Sequence, residues 1–170
     1  MNVTQINDTT DQAHKDYQNA LQQAFWRKAR TWLGRGCNDL LSFAEVFEYL
    51  KDRPQYQRGL QNVPVQQIVG STGRSGDFDL GYFPVQGSTE TRWVNVAKRR
   101  YQGKDLHPVM LYKVGEAYFV EDGNHRVSVA SVNGVPHIEA HVIEIDVSHL
   151  TPEPSCTRLG YKLKQEKDRI

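Results

Sequence analysis

Residues 120 to 130 read VEDGNHRVSVA. An apolar run gives way to Glu121, Asp122, Gly123, Asn124, His125 and Arg126, and then resumes. A tight turn needs only the Asp-Gly pair. The imidazole and guanidinium behind the glycine exceed what a turn requires, and their chemistry suits an anion. If a short helix starts at Asn124 or His125, its first amides have no intrahelical partner and carry the positive end of the helix dipole. Gly123 then lets backbone approach a ligand, Arg126 offers a planar fork to phosphate oxygens, and His125 adds a donor. Asp122 has three competing uses: ordering His125, capping the helix, or holding a metal ion that bridges phosphates. The plainer alternative is a capped helix with an Arg–Asp surface pair.

Three other groups of residues carry chemistry. Gly70, Ser71, Thr72, Gly73 and Arg74 stand ahead of Asp77 and Asp79. The segment lacks the ending of a P-loop, but small residues and an arginine before acids could close over a nucleotide; a surface loop explains it equally well. In HIEAH, His137, Glu139 and His141 would share one strand face and imitate a two-histidine, one-carboxylate metal site. Their alternation with Ile138, Ala140 and Val142 is already explained as the wet face of a half-buried strand, which is the preferred reading. Lys98, Arg99, Arg100 and Lys104, with Tyr101 among them, could touch a nucleic-acid backbone without reading sequence, but a solvated helix face is the simpler account.

The elements that must position these residues follow from spacing. Helical periodicity runs from Asp11 to Leu33, with Gly34 and Gly36 behind it. Ser42 and Glu45 form a capping-box pattern that starts a second helix reaching about Lys51, with Pro54 beyond. The pair is expected to pack as a hairpin around Trp26, Trp32, Phe43, Val46, Phe47 and Leu50. A short strand is expected over 63–69, a glycine-rich loop over 70–81, and a helix from Thr89 to Tyr101 with Trp93, Val96 and Ala97 inward and Arg92, Lys98, Arg99 and Arg100 outward. His107 to Val114 and Glu116 to Val120 read as a hairpin around Gly115. VSVASVNG suits a strand by its valines and a short helix by Ala130, Ser131 and the closing Asn-Gly; the helix is preferred. A half-buried strand covers Ile138 to Val142, and an extended tail with a charged end follows Thr151.

Bulk properties set the frame. With 170 residues, 21 Lys and Arg against 20 Asp and Glu, and a net charge of +1, the chain supports one main core and no broadly basic surface. Mean hydropathy is −0.64, and no apolar stretch approaches the roughly 18 residues a bilayer span needs. The opening MNVTQINDTTDQ has neither the basic region nor the apolar core of a secretory signal, so a cytoplasmic protein is expected. Cys37 and Cys156 have no metal-site spacing and read as reduced thiols.

The order of strand, glycine-bearing loop, helix, hairpin, polar turn, short helix and strand resembles the ParB/sulfiredoxin-like superfamily over about Val63 to Ile145. The match is sharpest in PVMLYKVGEAYFVEDGNHRVSVASVNGVPHIEAHV. Where partition proteins carry a Gly-Glu-Arg-Arg signature and sulfiredoxins Gly-Cys-His-Arg, this chain has Gly123, Asn124, His125 and Arg126. Asn124 in place of the cysteine removes the sulfiredoxin nucleophile. The free serine kinases' Asp-Gly-His-Thr-Arg shares Asp122, Gly123 and Arg126, and residues 151–170 carry no helix-turn-helix pattern. The resemblance implies an α+β fold divided into a helical extension (1–62), a ParB/sulfiredoxin-like domain (63–150) and a tail (151–170). It implies a nucleoside triphosphate, ATP or CTP with Mg2+, held by Gly123, Asn124, His125, Arg126, Ser71, Thr72, Gly73 and Arg74. Hydrolysis or phosphoryl transfer would use Asp77, Asp79, Asp122 and His125, with Glu90 a further carboxylate and Asp122 the metal ligand. The alternative is a non-catalytic, nucleotide-controlled regulatory or DNA-associated module, with the helical hairpin mediating homodimerisation or partner contact.

Overall fold

A computed structural model describes residues 3–34, 38–47, 50–148, 151–153 and 162–164. The fold is α+β. Its centre is a six-stranded mixed sheet built from β1 (Leu41–Ser42), β2 (Gln55–Pro64), β3 (Ile68–Ser71), β4 (Val109–Val114), β5 (Ala117–Asp122) and β6 (His137–Ile145). Across the sheet the order is β1-β3-β5-β4-β6-β2. Strands β1, β3 and β5 run parallel, β4 turns back into β5 as an antiparallel hairpin, β4 and β6 are parallel, and β2 closes the edge antiparallel to β6. Helices α1 (Val3–Gly34), α2 (Phe43–Phe47), α3 (Glu90–Tyr101) and α4 (Asn124–Val132) complete the main body. A separate ladder pairs β7 (Thr151–Glu153) with β8 (Lys162–Lys164), where the sequence suggested only an extended tail.

Alternation along β5 shows how the sheet divides its two cores. Tyr118 and Val120 join Val109, Leu111, Ala140 and Val142 on the face covered by α3 and α4. Ala117 and Phe119 join Phe43, Leu50, Val69 and Ile145 on the other face. Both faces are therefore buried over the central strands, which accounts for the continuous apolar run in β5. Gly70 is required where β1, β3 and β5 converge: a Cβ there would stand 2.3 Å from the Phe119 ring and 2.7 Å from the Leu41 carbonyl oxygen.

Two buried polar contacts fix the helical layer. Trp93 of α3 donates its indole N–H to Ser128 Oγ of α4 at 2.9 Å. Tyr17 of α1 tilts against Trp93, 5.4 Å between ring centroids, and donates its hydroxyl to the Gln86 carbonyl at 2.6 Å. Burying two large aromatics while satisfying their polar ends removes the desolvation penalty and sets the rotation of α3 about its axis. With Trp93, Val94 and Ala97 buried, Arg92, Asn95 and Arg99 are left on exposed positions.

The expected hairpin of two N-terminal helices is corrected here. The buried stripe of α1 is Ala13, Tyr17, Ala20 and Ala24, and Ala13 and Tyr17 share a core with Trp93 and Ala97 of α3. Small residues allow that close approach, whereas Trp26 is 63% exposed. Phe43 and Leu50 serve the opposite face of the sheet, Phe47 is exposed, and the side chains of Trp32 and Val46 lie outside the described residues. Gly36, Cys37 and Cys156 also lie outside them. The expected strand over 63–69 is corrected as well. It is the end of β2, a 3₁₀ turn (Val65–Gln67) and the start of β3. The earlier part of β2, QYQRGLQN, is polar because it is an edge strand exposed on both faces.

One structural ion pair reaches from α1 into the loop after β3. Arg27 Nε donates to Asp79 Oδ2 at 2.8 Å, while the Gly81 and Phe83 amides donate to Asp79 Oδ1 at 2.8 and 3.0 Å. The Asp79 side chain is 2% exposed. Removing the cation leaves a buried carboxylate short of a partner, which is costly. Arg27→Met is expected to lower stability by about 2 kcal/mol, and Arg27→Met with Asp79→Asn to recover part of it. Urea denaturation of the two variants checks this; equal losses in both would contradict the ion-pair account.

Candidate functional site

Helix α4 begins immediately after β5 through Gly123, whose φ is 108°. That conformation is left-handed and strains any residue with a Cβ. Space forbids a side chain too, because a Cβ on Gly123 would stand 2.5 Å from Val109 Cγ1. No side chain among the described residues caps the helix. Its first intrahelical bond is Val127 N–H to the Gly123 carbonyl at 3.0 Å, so the amides of Asn124, His125 and Arg126 precede the bonded ladder. They carry the partial positive charge of the helix end.

These residues border a cleft of about 480 Å³ whose other walls come from the glycine-rich loop and α3. The loop contributes Thr72, Gly73 and Arg74; α3 contributes Arg92, Asn95, Val96 and Arg99. Ser71 is buried and shapes the loop rather than lining the cleft: its Oγ accepts from the Gly73 and Arg74 amides at 3.4 and 3.2 Å. Asn124 is also mostly buried, its Oδ1 accepting from the Tyr82 hydroxyl at 3.5 Å. It therefore offers the cleft chiefly its backbone.

Arg126 is a strut. Its Nη1 donates to the His107 and Pro108 carbonyls at 2.5 and 2.8 Å, and its Nη2 to Asp122 Oδ2 at 2.6 Å. Three of the five guanidinium donors are thus committed to the protein, and one oxygen of the exposed Asp122 carboxylate accepts from this cation. Arg74 is tied to Asp77 at 2.7 Å. Arg92 and Arg99 make no ion pair with any described residue, so they are the cleft's uncommitted cations. The carboxylates at its border are Glu121 and Asp122.

His125 packs edge-on against Phe78, 5.5 Å between ring centroids, with its Nε2 buried and without a hydrogen-bond partner among the described residues. Burial first, and then the Arg74 and Arg92 guanidiniums, lower its pKa to about 4, against a smaller opposing effect of Asp77. The ring is therefore neutral near pH 7.

The structure gathers Thr72, Gly73, Arg74, Asp122, Gly123, Asn124, His125 and Arg126 around one cleft. Asp77 and Asp79 stand elsewhere. Asp77 holds Arg74, and Asp79 is the buried partner of Arg27, which corrects the expectation of Asp79 as a base. Glu90 stands outside the cleft lining and pairs with His14 of α1 at 2.9 Å. His137, Glu139 and His141 are exposed as expected of a wet strand face, and no group of three or more metal-ligating side chains occurs among the described residues. The sequence reading set Arg92 and Arg99 on the outer face of the helix, with Arg99 in a basic group facing solvent, but did not bring Arg92, Asn95 and Arg99 to this cleft. Their spacing of i, i+3 and i+7 places them on one helical face, a signal available in the sequence but shared with any solvated helix.

About half of this chain, 49%, is similar in fold to the crystal structure of sulfiredoxin from Arabidopsis thaliana. The match covers 82% of that chain at 17% identity and a TM-score of 0.36, a loose likeness that bears on no residue of the cleft. No protein-family model and no curated protein matches the chain. No described helix is long and apolar enough to cross a membrane.

The buried imidazole gives a pH dependence of definite sign. Because its folded pKa of about 4 lies below the ordinary 6.5, the unfolded chain takes up the proton first. His125's contribution is whole above about pH 6.5 and is lost as pH falls toward 4. His125→Gln is expected to flatten this limb of the stability profile, measured by urea denaturation between pH 7 and 4; an unchanged slope would show that His125 does not produce it.

Proposed function

We propose that the cleft binds the phosphate chain of a nucleoside triphosphate, ATP or CTP. The observation that carries this reading is the convergence of three unbonded α4 amides with Arg92 and Arg99 of α3 on one cleft of about 480 Å³. Backbone N–H groups at a helix start supply directional donors without a side-chain entropy cost, and guanidiniums supply charge and paired donors. Arg126 acts mainly by holding the start of α4 against the segment before β4, and offers a ligand only its remaining donors. Neutral His125 adds hydrogen bonding without charge.

Among the described residues no three metal-ligating side chains gather to hold a magnesium ion on the protein. Asp122 is engaged by Arg126 at 2.6 Å, and Asp77 by Arg74 at 2.7 Å. Magnesium that accompanies the nucleotide would be held by its phosphates. The same pairings favour binding over turnover, since the carboxylates expected to act as bases are committed to arginines.

Thermal unfolding with ATP, CTP, GTP and ADP, each with and without Mg2+, tests the reading. Saturation at 100 times the dissociation constant adds about 2.7 kcal/mol to stability. The double variant Arg92→Gln/Arg99→Gln, altered only at exposed positions, is expected to keep its unliganded stability and lose that increment. No shift with any nucleotide, or an undiminished shift in the double variant, would sink the proposal.

A further inference from the structure

A second cleft, of about 630 Å³, lies on the other side of Arg126, between the end of α3, the segment leading into β4, the end of α4 and the start of β6. Its volume is that of a small-molecule site. Ala130 is buried, and Val135 and Ile138 are partly buried; these three supply apolar lining. The wall toward the first cleft is braced, because Arg126 is bonded to the His107 and Pro108 carbonyls.

The charges around this cleft are of both signs. Arg100 and Lys104 stand at the α3 end, with Asp105 beside them, and Glu139 stands on β6. None of these four makes an ion pair with a described residue, although opposite charges line the same cleft. Arg126 is already matched by Asp122. Two free cations and two free carboxylates leave no net charge to attract a polyanion such as a nucleic acid, which needs a surplus of positive groups. They suit a ligand that itself carries both signs.

We propose that this second cleft binds a free amino acid with an apolar side chain. Its carboxylate is received by Arg100 and Lys104, its ammonium group by Glu139, and its side chain lies against Ala130, Val135 and Ile138. Charge complementarity at both ends of a short molecule provides selection: a ligand lacking one charge forgoes one of the two pairings. The site is independent of nucleotide binding in the first cleft and stands or falls separately from it.

Isothermal titration of the full chain with leucine, isoleucine, valine, methionine and phenylalanine, each in turn, is the test. At least one is expected to bind saturably at one site. N-acetylation, which removes its ammonium charge, and amidation, which removes its carboxylate, are each expected to weaken it severalfold. Alanine, with too small a side chain for the apolar lining, is expected to bind more weakly than the best of the five. Glu139→Gln and Arg100→Gln/Lys104→Gln, at exposed positions and with unchanged urea midpoints, are expected to weaken binding to a similar degree. The proposal is overturned if none of the five binds at millimolar concentration, if the blocked derivatives or alanine bind as well as the best of the five, or if the charge variants bind it normally.

Discussion

At Gly123 the chain leaves β5 with a left-handed backbone, passes over Val109 and enters α4 one residue later. This constraint governs the site. A longer connection or a capping side chain would satisfy the first amides of α4 within the protein, whereas this turn presents them uncapped. The same turn brings Asp122 and Arg126 within 2.6 Å, and Arg126 then reaches the carbonyls before β4. The end of one strand, the start of the next helix and the entrance to a neighbouring strand are thereby tied together, so the cleft's most directional donors rest on the rigid middle of the sheet.

The second element of the cleft is positioned by burial rather than by a turn. Trp93 is fixed from below by Ser128 and from the side by Tyr17. Its anchoring leaves Arg92 and Arg99 beside α4, where they meet no carboxylate partner among the described residues. Helix α1 thus contributes to the site at a distance. Tyr17 and Ala13 hold α3, and Arg27 holds the loop containing Asp79. The glycine-rich loop adds a third wall through Ser71, whose hydroxyl gathers the next amides inward. Each wall rests on a different kind of interaction: backbone conformation, aromatic packing and a local hydroxyl turn.

The hairpin of β4 and β5, helix α3, helix α4 and strand β6 were legible in the sequence because each has a strong apolar period or a glycine at its boundary. Strand β2 was not, because an edge strand exposed on both faces has no apolar alternation to read. The helical hairpin was misread because aromatic residues suggested a core, while the buried stripe of α1 consists mainly of alanines and one tyrosine. At the site, the glycine turn into a short helix was readable from residue types, whereas the engagement of Asp122 by Arg126 rather than by the helix start was not. Asp79 resembled a loop base, and its burial under Arg27 depends on a contact 52 residues apart in sequence. Arg92 and Arg99 looked like ordinary solvated positions, and only the packing of α3 beside α4 brings them to the cleft.

The most direct measurement is the amide and arginine side-chain NMR spectrum of the isotopically labelled protein during titration with ATP and with CTP. The account predicts that the largest changes fall on the amides of Asn124, His125 and Arg126 and on the Nε–H signals of Arg92 and Arg99, all saturating together. Saturable changes confined to other parts of the molecule, or none with either nucleotide, would contradict it.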